Sequence, residues 1–113
     1  MKFNEYQAKA IKYDLAGAKR DLMGGGFVEK VLGLAGEAGE TADKFKKIIR
    51  DRGGMITDAD KEAIVKELGD ILWYVSAIAE YLDVPFDDVA QLNLKKAESR
   101  RKRNALHGEG DDR

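Results

Sequence analysis

Glu37 and Glu40, and further along Glu67 and Asp70, form two pairs of carboxylates, each pair three residues apart. On a helix that spacing puts both members on one face with Cβ atoms about 5–6 Å apart. Two like charges at ~6 Å repel by about 3 kcal/mol at an effective dielectric of 20, and by far less when exposed. What these acids can do therefore depends on where their faces point. A wheel at about 100° per residue with Ile64 at zero puts the apolar stripe of its helix near 10°. Glu67 then falls near 300°, between Tyr74 and Ile78, and Asp70 near 240°, beside Ala77 and Tyr81. A carboxylate on that semi-buried flank must be protonated, paired or metal-bound. Oxygen-only ligation suits Mg2+, with Mn2+ as a possible substitute. The chain has no cysteine and one histidine, His107. That excludes thiolate zinc sites, iron–sulfur clusters and cysteine nucleophiles, and leaves almost no room for a histidine-ligated metal or a Ser-His-Asp triad. Di-iron bundles are excluded too, because no histidine follows the acids at the Glu-x-x-His spacing.

Four helical segments must position these groups. The first is expected from about Asn4 to Leu22, with Asn4 as N-cap and Gln7 completing a capping box, and Gly24-Gly25-Gly26 ending it. The second is expected from about Phe27 to Arg50, its core stripe being Val28, Val31, Ala35, Ala38, Ala42, Phe45 and Ile49. Gly53-Gly54 breaks it, and Thr57 with Asp60 opens the third, whose stripe is Ile64, Leu68, Ile71, Leu72, Val75, Ile78 and Leu82. Pro85 suits a first helical turn, and Asp87 and Asp88 suit the positive end of a fourth helix reaching roughly Arg103. The remainder, 104–113, reads as a polar tail. No segment has strand period. The expectation is an all-α antiparallel bundle of about four helices in one domain spanning 1–113.

Glycines mark the second helix. Gly33 and Gly36 each lie four residues before one of the acids, and Gly39 continues the series. Side chains lean toward a helix's N-terminus, so Glu37 and Glu40 each overlie a turn without a side chain, leaving space for an ion, its waters or a phosphate. Close helix packing would explain the same glycines. Lys44 and Lys47 follow Glu40 at i+4 and i+7, and Asn93, Lys96 and Arg100 share a face of the fourth helix. Both sets are candidate phosphate donors, against the plainer reading of solvated basic faces. For the acids the plainer reading is surface pairing such as Glu40 with Lys44. Trp73, Tyr74 and Tyr81 could stack on a base, although aromatics at helical spacing more often fill a core.

The whole chain sets the outer bounds. Twenty Lys+Arg against 21 Asp+Glu leave a formal net charge of -1 over 113 residues, which argues against nucleic acid as partner. No apolar run approaches the roughly 20 residues of a membrane span, and no signal-peptide core opens the chain, so a soluble, cytoplasmic protein is expected. A third helix apolar around much of its circumference is more than so small a chain can cover, so a homodimer or homotetramer is expected.

Leu34-Ala35-Gly36-Glu37-Ala38-Gly39-Glu40, followed by Lys66-Glu67-Leu68-Gly69-Asp70-Ile71-Leu72-Trp73-Tyr74, resembles the MazG-like nucleotide pyrophosphohydrolases of the all-α NTP pyrophosphatase group. Their pattern is ExxE, a variable connection and ExxD; here 26 residues separate Glu40 from Glu67. The resemblance implies that Glu37, Glu40, Glu67 and Asp70 hold Mg2+. It further implies hydrolysis of a nucleoside triphosphate to a monophosphate and pyrophosphate. Asn93, Lys96 and Arg100 resemble the family's N-x-x-K motif with a basic residue following. The fuller family motif is EExxE, and Gly36 stands where its first Glu would be, so no separate general base is assigned. The competing reading is a nucleic-acid-binding or purely structural helical module. It would use Lys95, Lys96, Arg100, Arg101, Lys102 and Arg103 as its basic surface, and would leave the four acids and three helix glycines unexplained.

Overall fold

The computed structural model describes residues 1–15 and 21–103. Among them every regular element is helical: α1 (Phe3–Ala10) running into a 3-10 turn (Ile11–Tyr13), α2 (Gly25–Arg52), α3 (Asp58–Tyr81) and α4 (Phe86–Lys102). The expected all-α class is what the chain adopts. Residues 16–20, into which the first helix was expected to run, and the tail 104–113 with His107 lie outside the described residues.

α2 and α3 form a long antiparallel hairpin. Gly33 against Tyr74, Lys44 against Glu67 and Arg52 against Asp60 fall in opposite order along the two helices, which fixes the register. The hairpin turns where local chemistry demands it. Gly53 and Gly54 take φ of 62° and 86°, the left-handed region that glycine enters without strain, and their amides return to Ile49 O and Ile48 O. Thr57 then closes a capping box with Asp60: Asp60 N donates to Thr57 Oγ1 at 3.1 Å and Thr57 N to Asp60 Oδ2 at 2.9 Å. Asp60 also holds Arg52 across the turn, and this guanidinium, followed by the Thr57 amide, draws its carboxyl down to about 2.

The first helix departs from expectation. Its N-cap is Lys2, and Asn4 and Gln7 lie inside it. Their side chains work on another helix. Gln7 is buried; its Oε1 accepts from Phe86 N at 3.0 Å and its Nε2 donates to Val84 O at 2.9 Å, while Asn4 Oδ1 accepts from Asp87 N at 2.9 Å. Pro85 is the N-cap of α4 rather than its first helical residue. Proline's ring offers no side-chain acceptor, so α1 supplies the cap. Phe86 anchors the same corner, its ring 4.8 Å from Phe3 and 6.2 Å from Tyr6.

The expected core stripe of α2 is also corrected. Val28, Val31, Phe45 and Ile49 are 46%, 51%, 40% and 65% exposed, and Ala35, Ala38 and Ala42 are exposed as well. The face turned inward instead carries Phe27, Lys30, Leu34, Glu37, Thr41, Lys44 and Ile48, all buried or half-buried. That face is half polar, so a search for apolar period selects the wrong side of the helix. On α3, Ile64 is buried as expected, but Leu68 and Leu82 are 50% and 57% exposed.

Lys30 is wholly buried where the first, second and third helices meet. Its Nζ lies 2.9 Å from Asp14 Oδ1 and 3.2 Å from Glu29 Oε1, and 5.6 Å from the ring centroids of both Trp73 and Tyr81. Burial lowers its pKa, but the hydrogen bonds of Asp14 and Glu29 outweigh this and hold the ammonium above the ordinary lysine value. Tyr81 donates its hydroxyl to Asp14. No described helix is long and apolar enough to cross a membrane.

Candidate metal centre

α2 and α3 bring Glu37, Glu67 and Asp70 together: one carboxylate oxygen from each lies within 4.8 Å of the other two. Glu37 and Glu67 are half-buried and Asp70 is exposed. The wheel thus anticipated Glu67 but put Asp70 deeper than it lies. Glu40 is exposed and stands outside this group of three, one turn along α2 from Glu37.

The electrostatics of the group are unfavourable as it stands. The Oε2 atoms of Glu37 and Glu67 are both buried without a hydrogen-bonding partner among the described residues. The Glu37 carboxyl is pushed up to about 7, first by the hydrogen bond it makes with Glu67, then by burial, then by the charges of Glu40 and Asp70. Three carboxylates this close must share protons or a cation. One cation is near: Lys44 Nζ sits 3.4 Å from Glu67 Oε1. Lys44 thus pairs across the hairpin and not with Glu40 one turn away. Lys44 offsets only part of the charge that three ionised carboxylates would carry. The oxygens are hard, clustered and under-partnered, and the donor set fits a hard divalent ion with room for its waters.

The walls are aromatic. Glu37, Asp70, Trp73 and Tyr74 line a recess of ≈ 190 Å³. A Cβ built on Gly33 would lie 2.3 Å from Tyr74 ring atoms, so only glycine admits the tyrosine there. Gly33 therefore serves packing, whereas Gly36 and Gly39 face open space. Trp73 is fixed by its Nε1, which donates to Ala10 O at 3.1 Å, and its ring meets Tyr74 edge-on at 5.1 Å. Tyr81, expected on the acid flank, is buried instead with its ring 5.5 Å from Phe27. Tyr6 was missed by the sequence reading. Burial first, and then the charge of Asp70, raise its phenol pKa, which puts α1 beside the acids. Nothing in the sequence links two residues 64 positions apart.

The basic residues divide into two groups. Lys44 and Lys47 line a 230 Å³ groove running toward the hairpin turn past Ile48, Arg52 and Asp60. Lys47 is paired 2.9 Å from Asp43. Asn93 is exposed, and Lys96 and Arg100 are half-buried, all on α4. Lys102 at the end of that helix pairs with Glu98.

Comparison with known proteins agrees with this geometry. Residues 29–104 match the MazG nucleotide pyrophosphohydrolase domain, a span holding both acid pairs and the whole helical hairpin from Glu29 onward. The chain is also 49% identical over 82 residues to the Gene 37 protein of Mycobacterium phage L5, covering 73% of this chain and 72% of that one. No solved structure matches it significantly. With two-thirds of its length inside that match, and with the acid spacing that first suggested the resemblance, the chain belongs to the MazG nucleotide pyrophosphohydrolase family.

Proposed function

We propose that this protein, as one domain spanning the chain, hydrolyses nucleoside triphosphates to the monophosphate and pyrophosphate with Mg2+, for which Mn2+ can substitute. The observation that carries this reading is the pair of buried, unpartnered oxygens on Glu37 and Glu67 beside Asp70. Glu37, Glu67 and Asp70 would hold the ion. When bound, the ion neutralises phosphate charge and acidifies water. Glu40, adjacent but outside the group of three, accepts at its carboxylate the proton lost by the attacking water. The water oxygen forms the new bond to the α-phosphorus, the bond to the α–β bridging oxygen breaks, and pyrophosphate leaves with that oxygen. Lys44 and Lys47 bind phosphate oxygens from the groove beside the acids, and Asn93, Lys96 and Arg100 bind them from α4. Trp73 and Tyr74 wall the recess and confine the substrate against the acids.

A panel of canonical and modified nucleoside triphosphates with Mg2+, resolved for pyrophosphate against orthophosphate, tests this. Pyrophosphate release is expected, reduced at least ~100-fold in Glu67→Gln while helicity by circular dichroism is unchanged. Orthophosphate as the product, or full turnover by Glu67→Gln, would overturn the reading.

A further inference from the structure

Trp73 is the single tryptophan of the chain, and three helices fix its indole. It stands on α3, its Nε1 donates to Ala10 O at the end of α1 at 3.1 Å, and the Lys30 ammonium of α2 lies over its ring, 5.6 Å from the centroid. Lys30 is itself pinned. Asp14 Oδ1 at 2.9 Å and Glu29 Oε1 at 3.2 Å hold its Nζ. The Tyr81 ring, also 5.6 Å from the ammonium, is buried against Phe27 and hydrogen-bonded to Asp14. A buried ion pair is weak ground for stability, since apolar side chains of similar volume fill such a junction as well or better. The ammonium adds something an apolar side chain lacks: attraction to the indole face, which holds the ring in place.

The ring so held is only half-buried and walls the recess beside Glu37 and Asp70. Lys30 is wholly buried, so the indole surface open to the recess is the part that the ammonium leaves uncovered. Tyr74 meets Trp73 at 88°, with its phenol end packed on Gly33. Two perpendicular rings form a corner. A flat aromatic ligand stacked on one meets the other edge-on, an arrangement that the ring quadrupoles favour. Of the two, the indole is the larger face and the one backed by a cation, whereas Gly33 closes off the end of Tyr74. Asp70 and Trp73 are three apart on α3, with Cβ atoms about 5–6 Å apart, the reach of a ribose between its 5′-phosphate and its base.

We infer, resting on the hydrolase reading of the same recess, that Trp73 is the platform on which the substrate's base stacks and that Lys30, paired with Asp14, is the positioning residue that sets it. With no second tryptophan in the chain, intrinsic fluorescence reports on this ring alone. In the presence of Mg2+, a nucleoside α,β-imidotriphosphate is expected to quench it, and tripolyphosphate, which has no base, is expected to leave it unchanged. Trp73→Leu is expected to raise KM about 10-fold, the order of one base–aromatic stack, with kcat within about twofold of wild type. Its inhibition by tripolyphosphate should be unaltered. Lys30→Met or Lys30→Gln, each combined with Asp14→Asn, removes the cation while keeping the junction neutral, and helicity by circular dichroism identifies the folded variant. That variant is expected to raise KM by the same order and to weaken the quenching. A merely structural loss would lower the active fraction, and with it kcat, instead of KM. Lys30→Arg, which keeps a cation over the indole, is expected to return KM close to the wild-type value. Wild-type KM and full quenching in a folded neutral variant would overturn the role of Lys30. Equal quenching by tripolyphosphate and nucleotide, or no quenching in a protein that releases pyrophosphate, would overturn the platform and leave the hydrolase reading standing. Quenching by the nucleotide alone, without pyrophosphate release, would support the platform and overturn hydrolysis.

Discussion

Glu37 is the side chain that reports most directly on the acid group. Its carboxyl titrates at about 7 against 4.5 for a free glutamate, with the contact to Glu67 as the largest cause. A carboxyl whose folded value lies above its unfolded one keeps its proton in the metal-free fold, and stability falls as pH rises between the two values. A divalent ion binds the deprotonated form and so must displace that proton. Mg2+ affinity should therefore rise roughly tenfold from pH 6 to pH 8 and flatten above, for one linked proton. Calorimetric titration in two buffers of different ionisation enthalpy should register proton release at pH 6 and little at pH 8. A pH-independent affinity would mean that Glu37 is not part of the ion's environment. Among single residues, the acids were legible because i, i+3 spacing is a local property. The partner of Lys44 was not legible for the same reason: Glu40 is its neighbour in sequence, while Glu67 is its neighbour across the hairpin.

Helix ends separate what a sequence discloses from what it withholds. Thr57 and Asp60 cap the helix they begin, so the local pattern named both residues and the place where α3 starts. Asn4 and Gln7 show the same local pattern and serve a different helix about 80 positions away, which no local rule can detect. The buried face of α2 was illegible because it carries Lys30, Glu37 and Lys44, residues that hydropathy assigns to solvent. Gln7→Ala would strand Phe86 N and Val84 O in a buried corner, at about 1–3 kcal/mol for each unsatisfied group. The expected result is a lower melting temperature together with faster amide exchange in the first turn of α4. Exchange there equal to wild type would show that α4 does not depend on α1 for its cap.

At the scale of the molecule, three helices meet on one buried charge. Lys30 and Asp14 are 1% and 5% exposed at their side chains, and Trp73 and Tyr81 enclose the ammonium. Replacing one member of a buried ion pair leaves the other uncompensated, a loss of about 3–5 kcal/mol. Lys30→Met should therefore destabilise by that amount in urea titration, and adding Asp14→Asn should recover a large part of it. A double variant no more stable than the single would show that the charge pairing is not what the junction depends on. The caps on α4 bear on how the chain comes to be folded. The turn that starts the hairpin joins residues close in sequence, whereas the closure of Gln7 and Asn4 onto residues 84–87 spans 77 to 83 positions. Closing so large a loop is slow and entropically costly. During synthesis Asn4 and Gln7 cannot cap α4 until residues 84–87 have left the ribosome, so this corner is the last of the described fold to close.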